Sequence, residues 1–155
     1  NGQSNMVYGF GRNTLGQRDA NYLNSGAFAP HDTTCAGFYD GSLRMGHIGT
    51  HSNNNYYGIY DLSGNVKEWC WDWYGTPYAG GTDPRGAGTG SNRVMRGGNW
   101  YNNANVARSA YRLISAPSYA GNNCGFRLAL SPSGVSPEAG QGAEPSGGGT
   151  EGARR

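Results

Sequence analysis

Few residues in this chain of 155 residues combine the type and the spacing that chemistry requires. His47 and His51 are four residues apart, a spacing that would bring two zinc ligands together on one face of a helix. Glycine and asparagine surround both histidines, however, so a helix is not expected and the pair is a weak metal candidate. The glycine-rich run at residues 86–90 lacks the Lys-Ser/Thr pair and the following helix of a phosphate-binding loop, so we interpret it as an ordinary loop.

The three cysteines are too widely spaced for a Cys-x-x-Cys metal motif or for a dense disulfide framework. Cys35, Cys70 and Cys124 are compatible with one disulfide and one remaining thiol, and equally with three free thiols. The redox environment of the protein therefore stays open.

The element that must position the rest of the chain is the stretch GIYDLSGNVKEWCWDW at residues 58–73, which contains three of the four tryptophans. In its second half, residues 66–73, tryptophans alternate with smaller or charged side chains, which is typical of a half-buried strand. Turn-forming residues precede this strand, and Gly64 is free to adopt a positive φ. The pattern predicts a tight turn followed by a strand, with the tryptophan rings organising the core.

The remaining apolar segments are short and are separated by turn residues, which predicts a loop-rich domain over residues 1–130. Residues 106–114 fit either a short helix or an irregular segment. Further short strands are predicted at residues 6–10, 33–39 and 124–130, and residues 93–100 are predicted to form a strand that runs into a Gly-Gly turn. In residues 131–155 Gly, Pro, Ser, Ala and Glu predominate, so this tail is expected to be disordered.

Composition and charge narrow the classes of function. The net charge is +2, only 14% of residues are charged, and the arginines are scattered, whereas phosphate-driven binding of nucleic acid needs a clustered basic face. No apolar run is long enough to cross a membrane, and no signal peptide is visible. The chain starts with Asn1 instead of Met, which indicates a processed or truncated N-terminus and leaves the location of the protein undetermined.

Several sequence blocks together resemble the formylglycine-generating-enzyme domain, also called the sulfatase-modifying-factor domain. They are YGIYDLSGNVKEWCWDWYG, the later Asp83-Pro84, RVMRGGNW, Arg108-Ser109 and Gly125-Phe126-Arg127. These blocks follow one another across residues 33–130 with gaps like those of the family. The resemblance implies an α+β fold, a variant of the C-type lectin fold that is loop-rich with short antiparallel strands. It also implies that the chain is the C-terminal part of such a domain.

The same resemblance implies where an oxidase of the family would hold its pair of copper-binding cysteines. These positions carry Asn102 and Ala107 here, and neither side chain can supply the thiolate that binds copper. We therefore expect no enzyme activity and no copper or iron cofactor. A metal-dependent oxidase, or another sulfatase-modifying-type enzyme of this fold family, stays the alternative.

Enzymes of the family bind calcium around the turn of the tryptophan-rich stretch, and the resemblance implies a candidate calcium site there. Its four residues are Asp61, Gly64, Val66 and Glu68, which offer the carboxylate and backbone oxygens that Ca²⁺ prefers. The alternative is that Asp61 caps its own turn while Glu68 pairs with a neighbouring arginine. A second calcium site of the family is not expected, because only Asn21 matches it.

Residues 93–130 resemble the variable region of proteins that retroelements diversify by randomising adenines, mostly in asparagine codons. Between Gly98 and Gly125 the chain has many asparagines but no Lys, Glu, Gln or Met, which is the composition that such randomisation leaves. Residues of the family scaffold are interleaved with the suspected variable ones. Fixed residues can therefore hold the backbone while their neighbours face a ligand, as in binding loops on rigid supports.

This second resemblance implies a non-catalytic, receptor-like or adhesin-like protein that binds protein or cell-surface ligands through a hypervariable surface. Tyrosine and asparagine suit this role, because they combine a large contact area with adaptable hydrogen bonding. Nucleic-acid partners and direct insertion into a membrane are not expected, whereas a place on a cell surface, in secretion or on a phage particle is favoured. The predicted ligand contacts are Asn99, Tyr101, Asn102, Asn103, Asn105, Ala107, Tyr111, Leu113, Ile114, Ser115, Ser118, Tyr119, Asn122 and Asn123.

Overall fold

The computed structural model of the chain describes residues 7–25, 32–44, 48–78, 80–82 and 84–129. Within these residues, short strands and one 3-10 helix are joined by turns and loops, and no helix has the length and apolar character that crossing a membrane requires. The elements are β1 (Leu43–Arg44), β2 (Ile48–Gly49), β3 (Lys67–Trp73), β4 (Arg93–Arg96), the 3-10 helix η1 (Ala104–Ala107), β5 (Leu113–Ser115) and β6 (Cys124–Gly125).

Four strands form one mixed sheet in the order β5-β4-β3-β6, and β1 pairs with β2 in a separate antiparallel pair. Strand β4 runs antiparallel to both of its neighbours, whereas β6 runs parallel to β3. The prediction of antiparallel strands is therefore wrong for this one contact. The reason is topological, because residues 116–123 carry the chain from β5 at one edge to the opposite edge, where β6 arrives in the direction of β3.

The turn that precedes β3 packs tightly against an N-terminal loop. Gly64 has a φ of +84°, and a Cβ built on it would lie 2.4 Å from the backbone oxygen of Asn21. The same oxygen accepts a hydrogen bond of 2.7 Å from the N–H of Asn65. The predicted turn followed by a strand is confirmed, and both the φ and the close approach require glycine at residue 64.

The buried core lies in the N-terminal loop and in the middle of the sheet. Tyr8 and Phe10 stack with ring centroids 5.8 Å apart and pack with Ala107. The two central residues of β4, Val94 and Met95, are almost completely buried. Strand β4 lies between β5 and β3 in the sheet, and its two central side chains are part of the buried core.

The tryptophans of β3 do not organise this core, contrary to the prediction. Trp71 has 86% of its surface exposed, and Trp73 is only half-buried. The guanidinium of Arg93 lies 3.6 Å from the ring centroid of Trp73 and 5.2 Å from that of Trp71. A cation thus occupies the space that an apolar core partner would fill, and a register shift between Trp69 and Trp73 interrupts the regular alternation of β3.

Other predicted strands are absent or shorter in the described residues. Residues 7–10 and 33–39 form turns and bends, because local hydrogen bonds such as Phe38 N–H to the oxygen of Cys35, at 3.1 Å, close the backbone on itself. Residues 106–114 combine both alternatives, since η1 ends at residue 107 and the chain is irregular from there to β5. The closing strand is limited to β6, and residue 130 and the predicted tail lie outside the described residues.

Candidate functional site

The predicted ligand-contact segment is attached at both ends to one short stretch of the scaffold. The Trp100 N–H donates to the backbone oxygen of Asn65 at 2.9 Å, and the Lys67 N–H donates to the backbone oxygen of Asn123 at 3.1 Å. These two anchors are only two residues apart at the start of β3. We call residues 64–68 and 96–98 the platform. Glu68 pairs with Arg96 across β3 and β4, and the Gly64 N–H donates to the backbone oxygen of Gly97 at 2.8 Å.

The middle of the segment is held by the end of β4. Nη1 of Arg96 donates to the backbone oxygens of Ser109 and Tyr111, at 3.0 and 3.1 Å. Gly98 approaches η1 so closely that a Cβ built on it would lie 3.1 Å from backbone atoms of Ala107. The cationic side chain and the glycine together bring the loop between β4 and β5 back against the platform.

Eight of the fourteen predicted contact residues have exposed side chains. The four large ones are Tyr101, Ile114, Tyr119 and Tyr111, with exposed fractions of 59%, 52%, 38% and 36%. The four smaller polar ones are Asn103, Asn105, Ser118 and Asn122. Aromatic rings beside amide and hydroxyl groups are well suited to contact with a protein ligand. We call these eight residues the tyrosine surface.

Two predicted contacts are corrected by their burial. Asn99 and Ala107 are 2% and 1% exposed, so neither side chain reaches a ligand at the surface. Asn99 accepts a hydrogen bond of 2.8 Å from the N–H of Tyr101 and so shapes the turn that presents this tyrosine. Ala107 packs against Tyr8 and Phe10 in the core. The remaining predicted contacts are half-buried: Asn102, Leu113, Ser115 and Asn123.

Local contacts hold two of the exposed rings in position. The Tyr119 O–H donates to Oδ1 of Asn123 at 2.9 Å, and Nζ of Lys67 lies 4.6 Å from the centroid of the Tyr119 ring. The Tyr101 ring meets the Trp100 ring edge-to-face at 5.7 Å. Rings that are already positioned lose less conformational entropy when a ligand binds, which favours them as contact residues.

The predicted calcium ligands lie around the same turn, but their carboxylates are already paired. Oδ2 of Asp61 accepts from the Gly37 N–H at 2.7 Å, and the two carboxylate oxygens of Glu68 accept from Arg127 at 2.9 and 2.5 Å. The described residues contain no group of three His, Cys, Asp or Glu side chains that could hold a metal ion. Calcium binding stays a prediction, in which the ion would compete with Arg127 for the Glu68 carboxylate.

The alternative given for Glu68, pairing with an arginine, is the arrangement found, and hydrogen bonding to this carboxylate raises the pKa of Arg127. Asp61 bonds a separate loop instead of capping its own turn. Gly64 and Val66, the other two predicted ligands, have no side-chain oxygen and offer only backbone oxygens.

The remaining candidates for metal or redox chemistry are not brought together. Nδ1 of His51 lies 2.7 Å from Oδ1 of Asp19, and His47 lies outside the described residues. All three cysteines are free thiols. Burial raises the pKa of the Cys70 thiol, which keeps it protonated and weakly nucleophilic.

Comparison with known proteins identifies the family of this chain. The family described as Sulfatase-modifying factor enzyme 1-like domain matches residues 2–132 of the chain. The chain belongs to this family. The formylglycine-generating enzyme of Streptomyces coelicolor is 36% identical over 106 residues, which are 64% of this chain and 32% of that enzyme. The inactive C-alpha-formylglycine-generating enzyme 2 of Mus musculus is 31% identical over 135 residues, which are 84% of this chain and 38% of that protein.

This sulfatase-modifying factor domain thus spans about a third of the length of these two relatives. Among solved structures, Treponema denticola variable protein 1 matches with a TM-score of 0.53 and 29% identity, covering 71% of this chain and 35% of that one. PvdO from Pseudomonas aeruginosa matches with a TM-score of 0.53 and 23% identity, which supports the fold alone. The resemblance to the family scaffold and to variable proteins is confirmed.

In this sulfatase-modifying factor domain, the two positions implied for the oxidase cysteines have different surroundings. Ala107 is part of the core. The backbone of Asn102 is fixed by hydrogen bonds of 2.9 Å to Asn99 and to Leu23, while its buried Oδ1 has no hydrogen-bond partner among the described residues. Neither side chain can bind copper as a thiolate would.

The sequence placed Arg96 and Arg108 only among the residues of the family scaffold, and it gave no role to Lys67. Besides Lys67 and Arg96, Arg108 donates from Nε to the backbone oxygen of Asn105 at 2.7 Å, and its guanidinium lies 5.9 Å from the Tyr111 ring. A count of charge by segment could have found them, because acidic and basic residues are unevenly distributed along the chain.

Proposed function

We propose that this domain is a non-catalytic ligand-binding module, comparable to a receptor or an adhesin, and that the tyrosine surface recognises a protein or cell-surface ligand. The side chains of that surface determine which ligand is bound, and a retroelement diversifies them. The observation that carries this proposal is the position of exposed aromatic and amide side chains on a loop whose backbone is fixed to a rigid platform.

Exposed and fixed roles alternate along the loop in a way that supports diversification. Tyr101 is exposed, while the preceding Trp100 is bound to the platform through its N–H. Tyr111 is also exposed, while its backbone oxygen is held by Arg96. Substitutions at the exposed positions therefore change the surface and leave the backbone contacts in place.

We also infer that the fold is a variant of the C-type lectin fold. The small mixed sheet, the short strands and the high proportion of loop are consistent with that assignment. Similarity to the Treponema denticola variable protein supports the use of such a scaffold for binding. In this interpretation the loop between β4 and β5, together with residues 116–123, presents the ligand contacts.

An enzyme of the sulfatase-modifying type is the second candidate. The 36% sequence identity with the Streptomyces coelicolor enzyme over 106 residues favours it. Asn102 and Ala107 argue against the oxidase, because its chemistry needs two thiolates at those positions. Metal analysis of the purified domain separates the two candidates. Copper or iron bound in a one-to-one ratio would support the enzyme, and a domain without either would support the binding module.

The decisive test of diversification is deep sequencing of the coding DNA for residues 99–125 in the source population. A search of the neighbouring DNA for a near-copy of that segment accompanies it. We expect substitutions to concentrate at the tyrosine surface, while Trp100, Arg108 and Gly125 stay fixed. A uniform segment without a near-copy would contradict the proposal.

A further inference from the structure

Charge is distributed unevenly along the chain. Residues 84–129 contain six arginines and no aspartate or glutamate, whereas the remaining residues carry all ten acidic residues and the other six basic ones. The whole tyrosine surface lies within this acid-free segment. A concentration of one sign of charge produces a potential that attracts groups of the opposite sign.

Hydrogen bonds in this segment leave most of the positive charge in place. Arg96 and Arg108, the two arginines that hold the loop between β4 and β5, donate to backbone oxygens and not to carboxylates. A neutral carbonyl accepts a hydrogen bond without cancelling a full charge. In the part of the chain that the structure describes, Arg127 is the one arginine of the segment paired with a carboxylate, that of Glu68.

Two more arginines of the segment stack on aromatic rings. Arg93 lies 3.6 Å from the ring centroid of Trp73, and Arg112 lies 4.5 Å from that of Tyr74. Stacking on a ring orients a guanidinium and shields one of its faces, but it leaves the net charge unchanged. Arg93 and Arg112 therefore keep their positive charge.

Two cations lie directly beside the exposed rings. Nζ of Lys67 is 4.6 Å from the Tyr119 ring, and the exposed guanidinium of Arg108 is 5.9 Å from the Tyr111 ring. Glu68, near the start of β3, is paired with Arg127. Two of the exposed tyrosine rings therefore each have a cation as a neighbour.

We propose that the ligand of the tyrosine surface is a protein that presents a carboxylate-rich patch. This inference rests on the proposed function and adds the chemical class of the ligand. Carboxylates complement the ammonium and guanidinium groups, while the exposed tyrosine rings and Ile114 need apolar contact area beside those carboxylates. A folded protein offers both kinds of surface, whereas a sulfated polysaccharide offers mainly charge.

The test measures binding of the full chain to fluorescently labelled poly-L-glutamate by anisotropy at low and high NaCl. We expect binding at low salt that weakens as salt screens the charges. Lys67→Gln and Arg108→Gln should each weaken binding by about twofold to fivefold, and Arg108→Lys should restore it. Arg85→Gln is the matched control, because it removes the same charge from an exposed loop outside the tyrosine surface.

Three results would overturn the inference. The first is that poly-L-glutamate does not bind at low salt. The second is that Arg85→Gln weakens binding as much as Lys67→Gln and Arg108→Gln do, and the third is that heparin binds while poly-L-glutamate does not, which would indicate a sulfated polysaccharide. Thermal melting of each variant checks that the fold is intact. Failure here is distinguishable from failure of the proposed function, since binding to a protein ligand selected by display could still depend on Tyr101.

Discussion

The platform and the tyrosine surface are neighbours in the fold but differ in kind. Close backbone contacts define the platform, whereas exposed side chains define the tyrosine surface. In the platform, backbone atoms approach closely, and a Cβ on Gly64 would lie 2.4 Å from a neighbouring carbonyl oxygen. In the tyrosine surface, side chains project into solvent, and Tyr101 is 59% exposed. The chain therefore fixes the ends of the loop with main-chain contacts and leaves side-chain identity free at the surface proposed to bind a ligand.

Main-chain contacts suit a segment whose sequence is proposed to vary. The bonds from Trp100 to Asn65 and from Lys67 to Asn123 use only backbone N–H and C=O groups. Such bonds form for any residue except proline as the donor, so substitution of Asn123 keeps its anchor. Diversity in the side chains is therefore compatible with a constant loop shape.

The largest expected effect comes from breaking the platform with Gly64→Ala. The new Cβ meets the Asn21 oxygen and the φ of +84° is unfavourable for alanine, so we expect the free energy of unfolding to fall by about 3 kcal/mol. Urea denaturation measures this change. Gly58→Ala is the matched control, because Gly58 has a φ of +76° but a Cβ added to it would meet no atom within 4 Å. Equal losses in both variants would refute the importance of the close approach.

The second-largest effect is expected in the tyrosine surface, from Tyr101→Ala. We expect binding to a display-selected protein ligand to weaken by about 1 to 3 kcal/mol, as for aromatic hot spots, while the free energy of unfolding changes by less than about 0.5 kcal/mol. Tyr56→Ala is the control, because Tyr56 is 95% exposed but lies outside the tyrosine surface. Calorimetry that finds the same affinity for both variants would remove Tyr101 from the ligand contacts.

Local patterns were sufficient to predict the turn, β3 and β4. The tight turn at Gly64 and the strand after it follow from residue types within a few positions of each other. Strand β4 and the glycine turn after it were predicted for the same reason, and the resemblance to variable regions supplied the predicted ligand contacts. Eight of the fourteen predicted contacts are exposed, because the suspected variable positions are interleaved with scaffold residues.

Properties that depend on distant partners could not be predicted. Alternation in β3 indicated two faces, but not that Arg93 would stack on Trp71 and leave this tryptophan exposed. The burial of Ala107 depends on Tyr8 and Phe10, which are about a hundred residues earlier in the chain. The parallel direction of β6 likewise depends on the crossover from the far edge of the sheet.

A smaller effect is expected where a glycine makes room for one exposed ring. A Cβ on Gly121 would lie 2.7 Å from the Tyr119 hydroxyl oxygen, so Gly121→Ala should displace the ring and break its bond to Asn123. We expect ligand binding to weaken by about 1 kcal/mol, measured as a faster dissociation rate. Gly88→Ala, where the new Cβ meets no atom within 4 Å, is the control. A dissociation rate equal to that of the control would mean that the Tyr119 position does not matter.

The smallest effect compares a thiol in the sheet with one in a loop. Burial raises the pKa of Cys70 and outweighs the opposing effect of Arg96, whereas Cys35 is exposed. A raised pKa leaves less thiolate at any given pH, so iodoacetamide should modify Cys70 more slowly than Cys35 at mildly alkaline pH, and the difference should narrow as pH rises. Mass spectrometry of each site over time measures both rates. Equal rates would mean that the position of Cys70 in β3 does not protect its thiol.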